Sequence, residues 1–282
     1  MTATDKDAPD TDVIDPAAPD ARLAEASTPK AKKEKPNFRF QGTDVAADIR
    51  AKYKTGGDLV DLYATTEGRE VHKWHHYLPI YERYFEKFRG KPVRMLEIGT
   101  WRGGSLGLWR RYFGPEAVIF GIDINPDCAQ YNGEAGQVRI GSQADPEFLT
   151  RVIAEMGGVD IVLDDGSHVM KHVRASLRTL FPMLSEGGLY MIEDMQCAYW
   201  KNFGGGLESP DNIFNFLRKL TDDMHRWYHG GKQKVGPFGH LVSGIHVHDA
   251  IIVLEKDPVH PPVNSIIGGK PGAFDREEDA DG

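Results

Sequence analysis

Cysteine is scarce in this 282-residue chain, and long apolar runs are missing. Two thiols far apart, Cys128 and Cys197, exclude a disulfide framework and a thiolate zinc centre. They fit reduced thiols in a cytoplasmic protein. No stretch reaches membrane-spanning length, and the first residues show no basic segment followed by an apolar one. Neither a membrane partner nor a secretory leader is therefore expected. Positive charge is also short, with 34 Lys and Arg against 42 Asp and Glu. No internal repeat is visible.

The charge is unevenly placed. Residues 1–29 hold seven acids against two bases, and residues 269–282 hold five against two. The Lys30-Ala-Lys-Lys-Glu-Lys35 run reads as a solvated linker. What remains is close to neutral, which argues against a nucleic-acid partner. Both ends lack the apolar content that offsets chain entropy. The expected domains are a disordered acidic tail over 1–40, a helical lid over 41–90, a catalytic domain over 91–268 and a second disordered tail over 269–282.

Residues 44–90 read as helical, with Tyr77, Ile80, Tyr81, Tyr84, Phe85 and Phe88 on one apolar stripe. From residue 93 the pattern changes to short apolar strands, at 93–98, 117–122, 138–141, 159–163 and 188–192. Helices are expected at 103–113 and 169–184, and another after Ser209 as N-cap with Pro210 in first position. Runs at 243–248 and 250–255 are a tight turn apart and should pair antiparallel. The fold class is α/β: a Rossmann-like, mostly parallel seven-stranded sheet closed by an antiparallel hairpin, with an N-terminal helical extension.

Such sheets bind ligands at the carboxyl ends of their strands. Glu97, Asp123, Ser142, Gln143, Asp164, Asp165, Glu193 and Asp194 all fall at those ends. The first strand runs into Glu97-Ile-Gly-Thr-Trp-Arg-Gly-Gly104, where Gly99, Gly103 and Gly104 would let backbone pass close to a cofactor and the helix that follows would offer free N–H groups, with Thr100 and Ser105 also expected to bind it. The spacing differs from the Gly-x-Gly-x-x-Gly of dinucleotide sites. Glu97 would repel a pyrophosphate but suit a cation, which favours S-adenosylmethionine over NAD. Asp123 is the expected acceptor for ribose hydroxyls. Ser142 and Gln143 either meet the adenine edge or shape a turn.

Asp165, Glu193 and Asp194 form a set of hard oxygen ligands suited to Mg2+. Strand alternation should make Asp164 and Asp165 diverge, one toward the cofactor and one toward the metal. His168, three residues past Asp165 at a helix start, is placed to act as base on an acceptor hydroxyl, neutral because the helix N-terminus disfavours imidazolium. The alternative is helix capping by Asp165 and Ser167, with Glu193 and Asp194 as loop charges.

Assembled, these residues resemble the magnesium-dependent sugar O-methyltransferases of natural-product pathways, within the class I S-adenosylmethionine-dependent methyltransferases. The resemblance runs from about His72 to Lys256. It is carried by His72-Lys-Trp-His-His-Tyr77 with Tyr81, Leu96-Glu-Ile-Gly-Thr-Trp-Arg-Gly-Gly-Ser105, Leu163-Asp-Asp-Gly-Ser-His168 and Ile192-Glu-Asp194. It implies Asp165, Glu193 and Asp194 as metal ligands and His168 as catalytic base. Cofactor contacts would come from the Glu97 turn, Asp123, Gln143 and Asp164. It further implies a homo-oligomer, dimer or tetramer, acting on a small-molecule or oligosaccharide acceptor such as a glycosylated metabolite, or a mannoside or polysaccharide precursor. The stretch at His72 departs from the Thr-Asp-Lys form of that family.

Other readings stay open. A catechol-type O-methyltransferase also uses magnesium, but with a lysine base. A non-catalytic S-adenosylmethionine-binding protein would not need both Asp165 and His168. An iron hydroxylase would need two histidines and a carboxylate. His240, His246 and His248 read as packing or surface residues, as do His225 and Trp227. Tyr199, Trp200 and Phe203 would stack on a sugar ring or pack locally.

Overall fold

Strands whose alternate residues are apolar on both faces need cover on both sides, and the chain provides it with helices. The computed structural model describes residues 38–230, 232 and 234–268. The tail expected over 269–282, and that expected over 1–40 except for residues 38–40, lie outside these residues. The described residues from Gly42 onward belong to one compact unit.

Three helices open this unit: α1 (Val45–Tyr53), α2 (Leu59–Ala64) and α3 (Tyr77–Phe85). The core then alternates: β1 (Arg94–Ile98), α4 (Gly104–Phe113), β2 (Val118–Asp123), β3 (Gln137–Ile140), α5 (Pro146–Met156), β4 (Val159–Asp164), α6 (Met170–Leu180) and β5 (Leu184–Ile192). It ends with α7 (Ile213–Met224), β6 (Val242–Val247) and β7 (Ile252–Lys256). The sheet order is β3-β2-β1-β4-β5-β7-β6. β1 to β5 are parallel, while β7 runs antiparallel to both β5 and β6. This is the expected class I architecture.

The two faces bury separate cores. Met95, Ile119, Ile161, Leu163, Met191 and Val253 pack under α1 to α4. Their neighbours Leu96, Ile98, Phe120, Val162, Ile192 and Leu254 pack under α5, α6 and α7. The period of two therefore assigns each strand-end acid to a side. Glu97, Asp165 and Glu193 fall on the α1–α4 side, and Asp164 on the other.

Three local expectations change. The 44–90 region is not one helical run: residues 66–76 form an irregular strap between α2 and α3. Helix α7 begins at Ile213, because Asn212, not Ser209, caps it. The Asn212 side chain accepts from Phe214 N and donates to Ala198 O and Gly206 O, while Ser209 shapes the preceding turn. Helix α5 was not anticipated, although Asp145 caps it through Glu147 N and Phe148 N and Pro146 opens it.

Candidate active site at the carboxyl ends of the strands

The strap reaches the sheet where β1 and β4 end. Gly104, the first residue of α4, lies so close to the carbonyls of Arg69 and Glu70 that a Cβ there would overlap them. Gly99 has φ 94° and sits against the Asp165 carbonyl with the same consequence. Ion pairs Arg69–Glu134 and Arg102–Glu70 hold the strap at the surface, and Arg69 lies over the Tyr131 ring.

Inside, Lys73 is buried and bonds two acids. Its Nζ donates to Asp165 Oδ2 at 2.5 Å and to both oxygens of Glu193 at 2.9 Å. Burial opposes the ammonium, but the Asp165 and Glu193 carboxylates, with Glu97 behind them, outweigh that cost and raise its pKa. Four residues on, at the start of α3, the Tyr77 hydroxyl donates to Asp194 Oδ1 at 2.6 Å. Burial, then the Asp194 charge, raises the phenol pKa, so it stays a donor.

Asp165 and Asp194 thus each commit one oxygen to the strap and α3. Their other oxygens, Asp165 Oδ1 and Asp194 Oδ2, each lie 3.8 Å from His168 Nε2. Ligand atoms of Asp165, His168 and Asp194 all fall within 4.8 Å of one another, an arrangement that could hold a metal ion. His168 (φ 53°) and Asp194 (φ 55°) both hold left-handed backbone, as does Trp101 (φ 47°). Such conformations cost non-glycine residues energy, and here they aim side chains at one place.

These groups line a cavity of about 320 Å³ together with Gly99, Trp101 and Asp123. Asp123 accepts from Trp101 N and Asn125 N, both at 2.9 Å, which fixes the turn after β2.

Other expected residues sit behind this wall. Glu97 is fully buried and accepts from Ser105 Oγ at 2.7 Å and Trp109 Nε1 at 3.1 Å. Burial raises its pKa, with Lys73 and the two donors opposing. Asp164 and Asp165 diverge as alternation requires, but Asp164 turns to the α6 side. There it accepts from Ser176 Oγ, Tyr190 OH and Gln143 Nε2 at 2.7–3.0 Å. Gln143 also accepts from Ser167 N, so it braces the loop before His168. Ser142 Oγ accepts from Ala144 N in a turn. Thr100 is buried beside β2.

Of the other histidines, His246 meets Glu255 at 3.0 Å and His248 meets the Tyr84 hydroxyl at 2.9 Å. His225 Nδ1 lies 2.8 Å from Thr221 O. Tyr199 and Trp200 are half exposed and lie outside the cavity wall.

Residues 96–195, which hold the glycine turn and all three acids, match the model of a methyltransferase domain. The chain carries a methyltransferase domain. It is 38% identical over 221 residues to the 8-demethyl-8-(2-methoxy-alpha-L-rhamnosyl)-tetracenomycin-C 3'-O-methyltransferase of Streptomyces olivaceus, covering 74% of this chain and 56% of that protein. It is 37% identical over 234 residues to the mycinamicin VI 2''-O-methyltransferase of Micromonospora griseorubida, covering 77% and 56%. Among solved structures it is similar to the MycE methyltransferase of the mycinamycin biosynthetic pathway in complex with Mg, SAH and mycinamycin VI. That match has a TM-score of 0.62 at 32% identity and covers 77% of this chain and 54% of the other. The chain spans a little over half the length of these relatives. Its Rossmann-like fold matches that of the MycE structure.

Sequence reasoning missed Lys73 and Tyr77 as site residues. Tyr77 and Tyr81, one turn apart on α3, carried a signal through the helical stripe, whereas Lys73 lies in the irregular strap, outside that period.

Proposed function

We propose that this chain is the catalytic part of an S-adenosylmethionine- and Mg2+-dependent O-methyltransferase acting on a sugar hydroxyl. The acceptor class is a glycosylated small molecule, or a mannoside or polysaccharide precursor. One observation carries this reading: Asp165 Oδ1, Asp194 Oδ2 and His168 Nε2 converge beside the glycine turn. The relatives, named for O-methylation of glycosylated natural products, support it.

The residues present fit both expected groups. Oxygen ligands dominate the convergence point, as Mg2+ prefers. A cavity lined by Asp123, Asp165 and Asp194 disfavours a pyrophosphate and suits a cationic methyl donor. Mg2+ would be held by ligands drawn from Asp165, Glu193 and Asp194; when bound, it supplies the positive charge that makes an alcohol proton easier to remove. S-Adenosylmethionine supplies the methyl group, with Gly99 and Asp123 in its binding wall.

The protein's own part is proton removal and alignment. His168 Nε2 takes the acceptor proton, because at 3.8 Å neither carboxylate bonds to that nitrogen. Left-handed backbone at His168 and Asp194 fixes their direction, and Gln143 braces the loop leading to His168. Lys73 and Tyr77 hold Asp165 and Asp194 so that each presents one oxygen inward. His72 and Trp74 in the strap complete the wall and limit water.

The test is transfer of labelled methyl from S-adenosylmethionine to a panel of glycosylated metabolites, mannosides and catechols, with Mg2+ or with EDTA. Transfer to a sugar hydroxyl that stops in EDTA is expected. Full activity in EDTA removes the metal reading, and transfer to catechols alone removes the sugar reading.

A further inference from the structure

A second cavity, of about 610 Å³ against about 320 Å³ at the strand ends, opens between α6, α7 and residues 234–238. It shares no lining residue with the candidate active site. Its floor is apolar. Leu220 and Phe238 belong to the core under α6 and α7, and Phe216 packs against that core. The Phe238 ring meets Phe181 edge-on at 5.7 Å and Phe216 at 6.4 Å. Asp223 Oδ1 accepts from Gly236 N at 2.9 Å, and Arg226 donates to Gly239 O, so the segment after α7 is tied in place as a wall.

The rim is positive. Arg178 lies over the Phe216 ring at 5.4 Å, and Lys219 and Lys234 stand exposed on the same cavity. Among the described residues, none of these three cations has an ion-pair partner. Arg174, the fourth cation of the wall, pairs with Asp211 at 2.6 Å. The acids of the wall are Asp222 and Asp223. Counting Asp211 with them, four cations face three carboxylates, which leaves a surplus of one positive charge. That surplus stands out in a chain whose formal net charge is −8.

We propose that this cavity binds a small organic carboxylate. The apolar body lies on Phe216, Leu220 and Phe238, and the carboxylate head meets Arg178, Lys219 and Lys234. A recess of this volume, apolar within and polar at its edge, is the usual form of a small-molecule site. Removing the body from water favours binding, and the guanidinium and ammonium groups give the head charge-assisted hydrogen bonds. The charge count selects the head: one surplus cation matches one carboxylate, whereas a phosphate monoester at about −2 would leave negative charge unbalanced. The net negative charge of the chain opposes adsorption to an anionic membrane, so the ligand is a free molecule and not a lipid headgroup. This inference is independent of the methyl-transfer reading.

Calorimetry on the full chain tests it with three probes of one length: decanoate, decan-1-ol and decylammonium. Decanoate should bind at one saturable site, with the alcohol and the ammonium at least about tenfold weaker. Arg178→Glu/Lys219→Glu turns the surplus of one positive charge into a deficit of three. It should weaken decanoate at least about tenfold, leave decan-1-ol within about twofold, and bind decylammonium more tightly than wild type does. A packing role for these side chains predicts instead equal losses for all three probes. Should the double variant not fold by circular dichroism, Arg178→Gln and Lys219→Gln decide singly, each weakening decanoate at least about threefold.

The proposal falls if wild-type protein binds decanoate no better than decan-1-ol. It falls equally if the folded variants keep wild-type affinity for decanoate, which would place the probe elsewhere. It falls too if decanoate does not bind while the double variant dissociates an oligomer seen by sedimentation, because the cavity would then be an interface between copies of this chain.

Discussion

The two ends of one strand pair treat charge in opposite ways. Where β1 and β4 begin, Arg94 and Asp160 meet one to one. Asp160 accepts from Arg94 Nε at 3.0 Å, Nη2 at 2.7 Å and the backbone N at 2.8 Å, and Nη2 also donates to Ser185 Oγ. Both carboxylate oxygens have donors and the charges cancel. Where the same strands and their neighbour β5 end, Glu97, Asp165, Glu193 and Asp194 crowd around Lys73 and His168. Directed oxygens are left over, and local backbone is held left-handed. A structural ion pair closes on itself, whereas a site for a cationic ligand stays short of positive charge.

The sharpest way to break this contrast is to empty the unpaired end. Asp165→Ala or Asp194→Ala should cut methyl transfer by about a thousandfold or more, with little change in melting temperature. Labelled-methyl assays beside thermal melts check both. Retained transfer, or a collapse of stability alone, would show that these acids are structural like Asp160. Next comes His168. Asparagine tolerates left-handed backbone but cannot take a proton at neutral pH, so His168→Asn should lower kcat by about 100- to 10,000-fold. Binding of S-adenosylmethionine, read by calorimetry, should hold. An unchanged kcat removes the base role.

At the paired end the expected loss is stability. Burial pushes the Asp160 carboxyl up, but hydrogen bonds from Arg94 and Ser185 outweigh it and hold its pKa below the usual value. A group depressed in the folded state stabilises above its unfolded pKa of about 3.9 and loses that contribution as pH falls through the folded value. Asp160→Asn should therefore cost about 2 kcal/mol near pH 7, and the difference from wild type should shrink steadily below about pH 4. Urea titrations at several pH values read it. A difference that grows with acid would reverse the sign of the assignment.

Much of this layout was legible from residue pattern. Apolar parallel strands, four closing on an acid and β3 on Ser142 and Gln143, give the sheet, its ligand edge and the divergence of Asp164 and Asp165 by period alone. The side to which Asp164 turns was not legible, because nothing local says which helix, α4 or α6, lies on which face. Lys73 escaped for a related reason. It is 92 positions from Asp165 and 120 from Glu193, and long-range pairing leaves no trace in nearby spacing. In residue pattern, 66–76 looks helical because the stripe of α3 dominates its surroundings. Their path is set by contact with Gly104, which only the fold brings near.

Location at the carboxyl edge does not by itself make an acid functional, and Asp145 sharpens the contrast at its smallest scale. It lies on that edge, just past β3, yet its Oδ1 accepts from Glu147 N at 3.0 Å and Phe148 N at 3.1 Å. Those two amides are donors that the first turn of α5 would otherwise leave without partners. Asp145→Ala removes the acceptor and should cost about 1 kcal/mol, whereas Asp145→Asn keeps it and should cost a few tenths at most. Methyl transfer per folded molecule should be equal in both and in wild type. If Asp145→Ala instead depressed transfer at full stability, position along the edge, and not the presence of an unclaimed oxygen, would be what marks the working acids of this site.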